Sequence, residues 1–369
     1  MNKEKLTGNK GEWSELYVLF KLLAEAKLYS ADENLNRTHN NVDVKSINRV
    51  DSVRQLIYEI DDGDGIINII DGLRNEKIKS LTKTEAINLS TKLVNEIKSG
   101  AGRAFSVSKR LKALLNKYEI TKVSEKSSSK SDIDIKIYDP KHSLTSQQKF
   151  SIKSLLGSQP TLFNANKTTN IIYKLTGQNG SPLTGKQVEE INKIGNPYKY
   201  IKRTKDIVNK GFKIKFHSFQ DDTFKLNLQL IDSDLPVIIA SIVLDKYLKE
   251  ITKITDVIQE LNKSNPMGYD LTQGHNFYEY RIINFLIESA LGMTSKTVWT
   301  GEYDVIGGII IVKPNEEVLC YHLIDFNKFK TYLKNSCRID NPSGSKMGYG
   351  NVYKDNGETF IKLNFQIKA

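Results

Sequence analysis

The sequence has few cysteines and no long apolar run. Only Cys320 and Cys337 occur among its 369 residues, which excludes a disulfide framework and favours a reducing cytoplasmic compartment. No stretch of eighteen consecutive apolar residues exists, so we expect no transmembrane helix. Residues 1–13 are polar and lack the apolar region of a signal peptide. The hydrophobic content of 39% is enough to bury a sizeable core, in one large domain or two smaller ones.

Two common kinds of chemistry also lack their sequence signals. The five histidines show no zinc-ligand spacing with the two cysteines. No glycine-rich loop that would cradle a phosphate is present, and we find no internal repeat. The sequence therefore gives little support to a zinc site or to nucleoside triphosphate hydrolysis.

Positive charge is in excess. The chain has 54 Lys and Arg against 43 Asp and Glu, a formal net charge of +11. This balance favours a polyanionic partner, most often nucleic acid, although a Lys-rich chain can also be basic through composition alone. Bases are concentrated in residues 101–131, which lead into two carboxylates, and from this stretch we predict contacts with DNA by Lys109, Arg110 and Lys130. The bases of the stretch are Arg103, Lys109, Arg110, Lys112, Lys117, Lys122, Lys126 and Lys130.

Periodicity predicts a mixture of helices and strands. Residues 11–27 are apolar nearly all round, which is typical of a buried helix. Residues from about 47 to 118 are predicted to be a helical insertion, judged by segments such as VRQLIYEI, with Thr82 or Thr84 as a cap. Further along, FKLNLQLI predicts a strand and HNFYEYRIINFLIESALG predicts a helix that ends at Gly292. The fold class is therefore mixed α/β.

A change of pattern near Gly177–Gly185 indicates a domain boundary. We divide the chain into a core at residues 1–176, which contains the helical insertion, and a second region at 177–369. The alternative is one continuous domain.

The stretch SDIDIKIYDPKHSLTSQQKFSIKS, residues 131–154, places two carboxylates and a lysine on a predicted hairpin. Isoleucines alternate with polar residues in its first run, and a turn follows at the proline. Alternation places Asp132 and Asp134 on one face of the first strand, and Ser151 and Lys153 on one face of the second. If the strands pair, the acids and the lysine converge.

Such a pair of strands can hold the catalytic groups of a metal-dependent nuclease. Magnesium needs one or two carboxylates beside the scissile phosphate, and a nearby lysine can orient the attacking water and neutralise charge. We assign Asp132 as the metal ligand, with Asp134 as the alternative, and Lys153 as the catalytic cation. The other interpretation is a set of solvated edge charges that discourage sheet pairing.

One acid of the usual nuclease pattern is missing. An acid normally stands two residues before the lysine, and here that position is Ser151. Glu15, in the predicted N-terminal helix, is a substitute, because a carboxylate in a buried helix must be paired, hydrogen-bonded or metal-bound. Glu12 is the second choice. The alternative is a first-turn acid that the helix dipole favours without any metal.

Two segments carry candidates for reading bases. Arg or Lys suits guanine, and polar side chains suit the other base edges of the major groove. The alternative is an ordinary amphipathic helix for the first segment and a surface loop for the second. The candidates are His275, Asn276, Tyr278 and Arg281 in HNFYEYR, and Arg338, Asn341, Ser343, Ser345 and Lys346 in CRIDNPSGSKMGYG.

The stretch GEYDVIGGIIIVK is a rival for the catalytic hairpin. Glu302, Asp304 and Lys313 also place two acids and a lysine around an apolar run. We favour a structural hairpin or an edge that faces DNA, because Gly307 and Gly308 interrupt the run close to the acids.

Several blocks of the chain resemble the HpaII-type type II restriction endonucleases. The most specific are GNKGEWSELYVLFKLLAEAK and FSIKSLLGSQPTLFNA, and SDIDIKIYD, YDVIGGIIIVK and RIDNPSGSKMGYGNVY extend the resemblance over nearly the whole chain. The resemblance implies a PD-(D/E)XK nuclease core with a mixed sheet flanked by helices and a C-terminal extension. It also implies Mg²⁺-dependent cleavage of double-stranded DNA at the palindrome CCGG, leaving 5′ phosphates.

The resemblance also assigns roles to residues. Asp132 takes the place of the central metal-binding aspartate, Lys153 that of the catalytic lysine, and Glu15 that of a helical glutamate, whereas Ser151 departs from the family pattern. It further implies a prokaryotic cytoplasmic protein, a homodimer on its palindrome, a recognition and dimerisation role for residues 177–369, and a functionally linked DNA methyltransferase. The rival hypotheses are a basic DNA-binding protein that does not cut and a nuclease of RNA.

Overall fold

The computed structural model describes residues 6–51, 54–61, 63–124 and 130–369. Lys126, one of the bases counted above, and Val53, the first residue of VRQLIYEI, lie outside these residues.

Helices and strands alternate along the described chain. The strands are β1 (Lys27–Ala31), β2 (Arg37–Asp51), β3 (Arg54–Ile60), β4 (Ile66–Asp71), β5 (Glu76–Thr82), β6 (Ile133–Asp139), β7 (Leu144–Ser154), β8 (Thr161–Phe163), β9 (Ile171–Thr176), β10 (Lys213–Phe219), β11 (Gly308–Val312), β12 (Val318–His322), β13 (Arg338–Asp340), β14 (Val352–Asp355), β15 (Glu358–Leu363) and β16 (Gln366–Lys368). The α-helices are α1 (Lys10–Glu25), α2 (Lys83–Ser99), α3 (Lys109–Lys117), α4 (Gly185–Asn192), α5 (Lys199–Asn209), α6 (Asp222–Ile231), α7 (Leu235–Lys249), α8 (Ile254–Ser264), α9 (Phe277–Leu291), α10 (Phe326–Ser336) and α11 (Gly344–Met347).

The largest sheet is mixed and has nine strands in the order β1-β12-β11-β7-β6-β2-β3-β4-β5. β11 runs parallel to β7, and β12 runs parallel to β1. Because β1 also pairs with β2, the pairings of β1, β12, β11, β7, β6 and β2 form a closed ring. The predicted mixed α/β class is confirmed, and so are the two predicted hairpins β6–β7 and β11–β12.

α1 is the predicted buried helix. A capping box begins it, in which the Asn9 side chain accepts from the Glu12 amide and the Glu12 carboxylate accepts from the Asn9 amide at 2.7 Å. Trp13 and the apolar residues that follow it are almost fully buried. They share one core cluster with Ile133 of β6 and Ile152 of β7, so α1 packs on the sheet face that carries those two side chains.

Only part of the predicted helical insertion at 47–118 is helical. α2 and α3 fall within it, and Thr82 caps α2, as predicted. The segment Arg54–Ile60 is strand β3, so its helix prediction was wrong. Leu56 and Tyr58 are buried at alternate positions, and β3 pairs with both β2 and β4. A short apolar run fits either period, and here the neighbouring strands decide.

FKLNLQLI was also assigned wrongly, since it forms most of α6. Phe224 and Leu228, four residues apart, bury one side of that helix, and the Phe224 ring stacks on Phe163 with centroids 5.4 Å apart. The predicted helix that ends at Gly292 is confirmed as α9. In the part of the chain that the structure describes, no single helix is long and apolar enough to cross a membrane. The helices α6 and α7 together meet the criteria for a membrane span by length and composition only, and the pair is bent by 113°.

The chain divides into two compact units. The first contains the residues up to Pro160 together with Tyr303–Tyr332, and the second contains Thr161–Glu302 and Leu333–Ala369. This division differs from the predicted boundary at 176/177. The chain returns to the first unit because β11 and β12 complete the nine-stranded sheet.

Candidate active site

The β6–β7 hairpin brings Asp132 to β7. The strands are antiparallel, Ile133 lies opposite Phe150, and the Asp132 amide donates to the Phe150 carbonyl at 2.9 Å. The Asp132 carboxylate then turns toward the next residues of β7. Its Oδ2 atom accepts hydrogen bonds from the Ile152 amide at 2.6 Å and from the Ser151 hydroxyl at 3.0 Å. These two donors fix the orientation of the carboxylate.

Lys153 joins the same cluster through Ser151. Its ammonium Nζ donates to the Ser151 Oγ at 2.8 Å, while that hydroxyl donates to Asp132. Ser151 is only 2% exposed, so it is a buried link between the acid and the cation. The predicted convergence of Asp132, Ser151 and Lys153 on one side of the hairpin therefore agrees with the geometry.

The sheet is open where these residues lie. Pairing between β6 and β7 ends at Ile133 and Phe150, whereas β11 stays paired with β7 as far as Ser154. Within the described residues, no strand pairs with residues 151–154 of β7 on the side toward β6, and we call this side the open edge. The Asp132 side chain covers its first free amide, that of Ile152.

Asp132 has capacity for a metal ion. Both of its hydrogen bonds go to Oδ2, and its Oδ1 atom accepts none from the described part of the chain. A carboxylate oxygen is the ligand that Mg²⁺ prefers. No group of three or more His, Cys, Asp and Glu side chains that could hold a metal was found among residues 6–51, 54–61, 63–124 and 130–369.

Asp134 lies farther along β6. Its Oδ1 atom accepts from the Gln147 side-chain amide at 2.6 Å, and it is opposite Lys149 in the register. Asp132 is bonded to Ser151 and Ile152 instead, so the structure favours Asp132 over Asp134 as the acid beside Lys153.

Glu15 lies on the helix that packs against β7. A Cβ atom at Gly157 would lie 3.1 Å from the Lys10 side chain, and the hydroxyl groups of Ser14 and Ser154 are 2.8 Å apart, so α1 runs antiparallel to the end of β7. This places Glu15 at the level of Lys153 along the strand. Lys153 faces the other side of the sheet, so a half-buried Glu15 can reach the cluster only through the open edge. The capping box of α1 uses Glu12, so Glu15 is not the capping acid of this helix.

Lys130 and Asp304 complete the surroundings. The Lys130 amide donates to Asp304 Oδ2 at 2.9 Å. The pKa of the Lys130 ammonium is lowered from 10.5 to about 7, by burial first and then by the charge of Lys153, while Asp304 opposes both effects. Lys130 is therefore close to the catalytic cluster rather than simply on a DNA-facing surface. From the sequence we set Asp304 aside as part of the rival hairpin, and no local pattern indicates its contact with Lys130, because that contact joins residues 174 apart in sequence.

The rival hairpin does not build a second centre. Asp304 and Lys313 stand at opposite ends of the buried strand β11, and Lys313 forms an ion pair of 2.7 Å with Glu317. It is the structural hairpin that we favoured.

The predicted DNA contacts differ in how free their side chains are. Lys109 and Arg110 are exposed on the first turn of α3, and Asn276 is exposed just before α9. Arg281 is not free, since its guanidinium forms ion pairs with Asp232 at 3.0 Å and Asp234 at 3.7 Å. It also lies over the Tyr269 ring, so it stabilises the second unit. His275 is exposed, whereas Tyr278 is buried.

The second predicted segment forms β13 and the loop around α11. Arg338, Ser343 and Lys346 are exposed. The Asn341 side-chain oxygen accepts a hydrogen bond from buried Lys246, so that side chain has a structural partner. The loop is packed tightly on Tyr200, because a Cβ atom at Gly344 would lie 1.6 Å from the Tyr200 hydroxyl. This packing can hold Ser343 and Lys346 in fixed positions.

Two comparisons with known proteins found matches. The family model described as HpaII restriction endonuclease matches residues 9–369. The Type II restriction enzyme HpaII of Haemophilus parainfluenzae is 39% identical over 366 residues, which cover 99% of this chain and 99% of the relative. No solved structure matches the chain significantly. The matched range includes Glu15, Asp132, Ser151 and Lys153.

Proposed function

Because the chain belongs to the HpaII restriction endonuclease family, we propose that it hydrolyses phosphodiester bonds of double-stranded DNA at a short palindrome, CCGG. The observation that supports this most is the chain of contacts from Lys153 through Ser151 to Asp132 at the open edge. A buried serine that bridges an acid and a cation is a built arrangement, and solvated edge charges do not require one. The position of that chain in a PD-(D/E)XK core is part of the proposal.

Asp132 is the proposed ligand of Mg²⁺ through Oδ1, with Glu15 as the second protein ligand and Asp134 as the alternative. A bound Mg²⁺ would polarise the scissile phosphate and make a bound water a better nucleophile. The donors from Ser151 and Ile152 hold the Asp132 carboxylate so that Oδ1 stays available. Their positions are set by β7, which β11 supports on its other edge.

Lys153 is the proposed catalytic cation. One of its N–H groups is bonded to Ser151, which fixes the amine at the open edge. Its remaining donors can align the attacking water and neutralise charge that develops on the phosphate. In-line attack would expel the 3′ oxygen and leave a 5′ phosphate, without a covalent enzyme intermediate.

Ser151 replaces the acid of the usual pattern by a neutral link. A hydroxyl both accepts from Lys153 and donates to Asp132, which a carboxylate could not do. It therefore positions both catalytic groups and leaves ligation of the metal to other oxygens.

Recognition of DNA is proposed for exposed polar residues of both units. Exposed Lys109 and Arg110, together with the half-buried Lys130 beside the cluster, would contact phosphates, which carry most of the affinity. Base contacts would come from the two segments around α9 and α11. A palindrome is matched most simply by a two-fold homodimer, and a linked methyltransferase would protect host DNA in a prokaryotic cytoplasm. The proposed base-contacting residues are Asn276, Arg338, Ser343 and Lys346, with Asn341 and Arg281 in supporting positions.

Plasmid cleavage tests the proposal. The purified protein is incubated with a plasmid of known sequence, with Mg²⁺ and with EDTA, and the fragment ends are sequenced. We expect discrete fragments only with Mg²⁺, and ends that map to CCGG and carry 5′ phosphates. Intact plasmid with a gel shift would support a non-cutting DNA-binding protein, and cleavage of structured RNA alone would support a ribonuclease. Fragment ends that map to another palindrome would contradict the CCGG recognition sequence but not the nuclease activity.

A further inference from the structure

Asp304 forms a hydrogen bond with the segment that leads into Asp132. Its carboxylate accepts from the Lys130 amide, 174 residues away in sequence and two residues before Asp132. We propose that Asp304 is a positioning residue for the catalytic centre, which holds segment 130–132 so that Asp132 stays in register with Ser151 and Ile152. This inference rests on the proposed nuclease function.

The glycine pair that follows Asp304 sets where β11 begins, against β7 and β12. The Gly307 amide donates to the Lys149 carbonyl at 2.8 Å, and a Cβ atom at Gly307 would lie 2.6 Å from the Phe150 ring. Gly308 has a φ of +122°, and a Cβ atom there would lie 2.0 Å from the Tyr321 carbonyl oxygen. Only glycine lets the chain enter β11 this close to β7 and β12.

Segment 130–132 needs such a contact because it lies at the end of the β6–β7 ladder. The Asp132 amide makes the last backbone bond of that ladder, to Phe150. The Asp304 bond holds the segment two residues earlier, and a backbone N–H bonded to a carboxylate is stronger than one bonded to a neutral acceptor. The segment is therefore held at two points, the Lys130 amide bonded to Asp304 and the Asp132 amide bonded to Phe150. A shift of either point would move its carboxylate away from the Ile152 amide.

Replacement of Asp304 separates positioning from other roles. Asp304→Ala removes the acceptor, Asp304→Asn keeps an acceptor oxygen but removes the charge, and Glu302→Ala removes an exposed acid two residues away as a control. The readouts are kcat for plasmid cleavage at saturating Mg²⁺, the Mg²⁺ concentration for half-maximal rate, and DNA affinity in EDTA.

We expect Asp304→Ala to lower kcat by about tenfold or more, as loss of a supporting hydrogen bond does at other metal sites. It should also raise the Mg²⁺ requirement and change the DNA affinity in EDTA by less than about twofold, because the DNA-contacting side chains are intact. Asp304→Asn should recover most of the rate, and Glu302→Ala should match the unchanged protein.

Two results would overturn the inference. One is an Asp304→Ala enzyme with unchanged kcat and Mg²⁺ requirement, and the other is an Asp304→Asn enzyme as defective as Asp304→Ala, which would mean that charge matters and the acceptor does not. If Asp304→Ala melts near the assay temperature, Asp304→Ser, whose hydroxyl is too short to reach Lys130, takes its place. Failure of the nuclease proposal is distinguishable, since unchanged protein would then leave plasmid intact with Mg²⁺.

Discussion

The hydroxyl groups of Ser14 and Ser154 share a buried hydrogen bond of 2.8 Å. This contact joins the start of α1 to the end of β7, one residue from Lys153. It fixes the position of α1 along β7. The distance from Glu15 to the catalytic cluster is therefore set by packing between elements that are far apart in sequence. Glu15 follows Ser14 directly and is half-buried, so its proposed role as a second metal ligand depends on this packing.

Glu15→Gln tests that role. The amide keeps the volume of the side chain but loses the charge that Mg²⁺ prefers, so we expect cleavage at limiting Mg²⁺ to fall by roughly tenfold or more. The measurement is a Mg²⁺ titration of the initial rate, beside a thermal melt.

Glu12→Gln is the matched control for Glu15→Gln. It weakens the capping box of α1 and should cost up to about 1 kcal/mol of stability, with the Mg²⁺ requirement unchanged. If Glu15→Gln behaves in the same way, Glu15 is a structural acid.

Lys153→Ala is expected to lower kcat by about 100-fold or more, because the amine that neutralises charge at the phosphate is lost. The fold and much of the DNA affinity should persist, since β7 stays paired with β11. Rates on plasmid and gel shifts in EDTA provide the two measurements. Lys141→Ala, at the exposed turn of the same hairpin, is the control and should cut normally. Near-normal cutting by Lys153→Ala would remove that residue from the site.

Ser151→Ala should lower kcat by roughly tenfold, because Lys153 loses its acceptor while Asp132 keeps its bond to the Ile152 amide. The change should be smaller than for Lys153→Ala, since the amine itself remains. Ser146→Ala, which removes a hydroxyl bonded to Gln148 on the same strand, is the control. Equal rates for the two serine variants would show that the orientation of Lys153 does not depend on Ser151.

The catalytic hairpin was predictable because its signal is local. Alternation in the two runs of residues 131–154 determines which side chains share a face, and a short connection makes antiparallel pairing of the two runs the simplest arrangement. Asp132, Ser151 and Lys153 therefore lie together as expected. The capping box that places Glu12 is local in the same way.

The remaining features depend on partners that a single sequence does not display. The segment Arg54–Ile60 becomes a strand because β2 and β4 lie on its two sides. Asp304 lies beside Lys130 only after β11 has joined β7. Arg281 is a plausible base reader by residue type, until Asp232 and Asp234 are found within ion-pair distance. Non-local pairing decides each of these three cases.

Stability in acid should depend on Glu85. Its Oε1 atom accepts from the Tyr118 hydroxyl at 2.6 Å and from Lys117 at 3.1 Å, and its Oε2 atom accepts from the Thr82 amide at 2.9 Å. These hydrogen bonds, that from Tyr118 first, lower the pKa of Glu85 from 4.5 to about 2. A lowered pKa in the folded state means that the unfolded chain binds more protons between these values. The stabilisation is therefore fully present above about pH 4.5 and is lost as the pH falls toward 2.

Glu85→Gln is expected to destabilise the protein at pH 7 by roughly 1 kcal/mol, a modest value because solvent screens this partly exposed group. The difference from the unchanged protein should shrink as the pH is lowered from 5 to 3, since the unfolded chain increasingly binds a proton at Glu85 while the folded protein does not. Urea unfolding at several pH values measures it. Glu76→Gln, at an exposed position of β5, controls for the loss of one negative charge. A destabilisation by Glu85→Gln that is as large at pH 3 as at pH 7 would show that the ionised carboxylate does not stabilise α2.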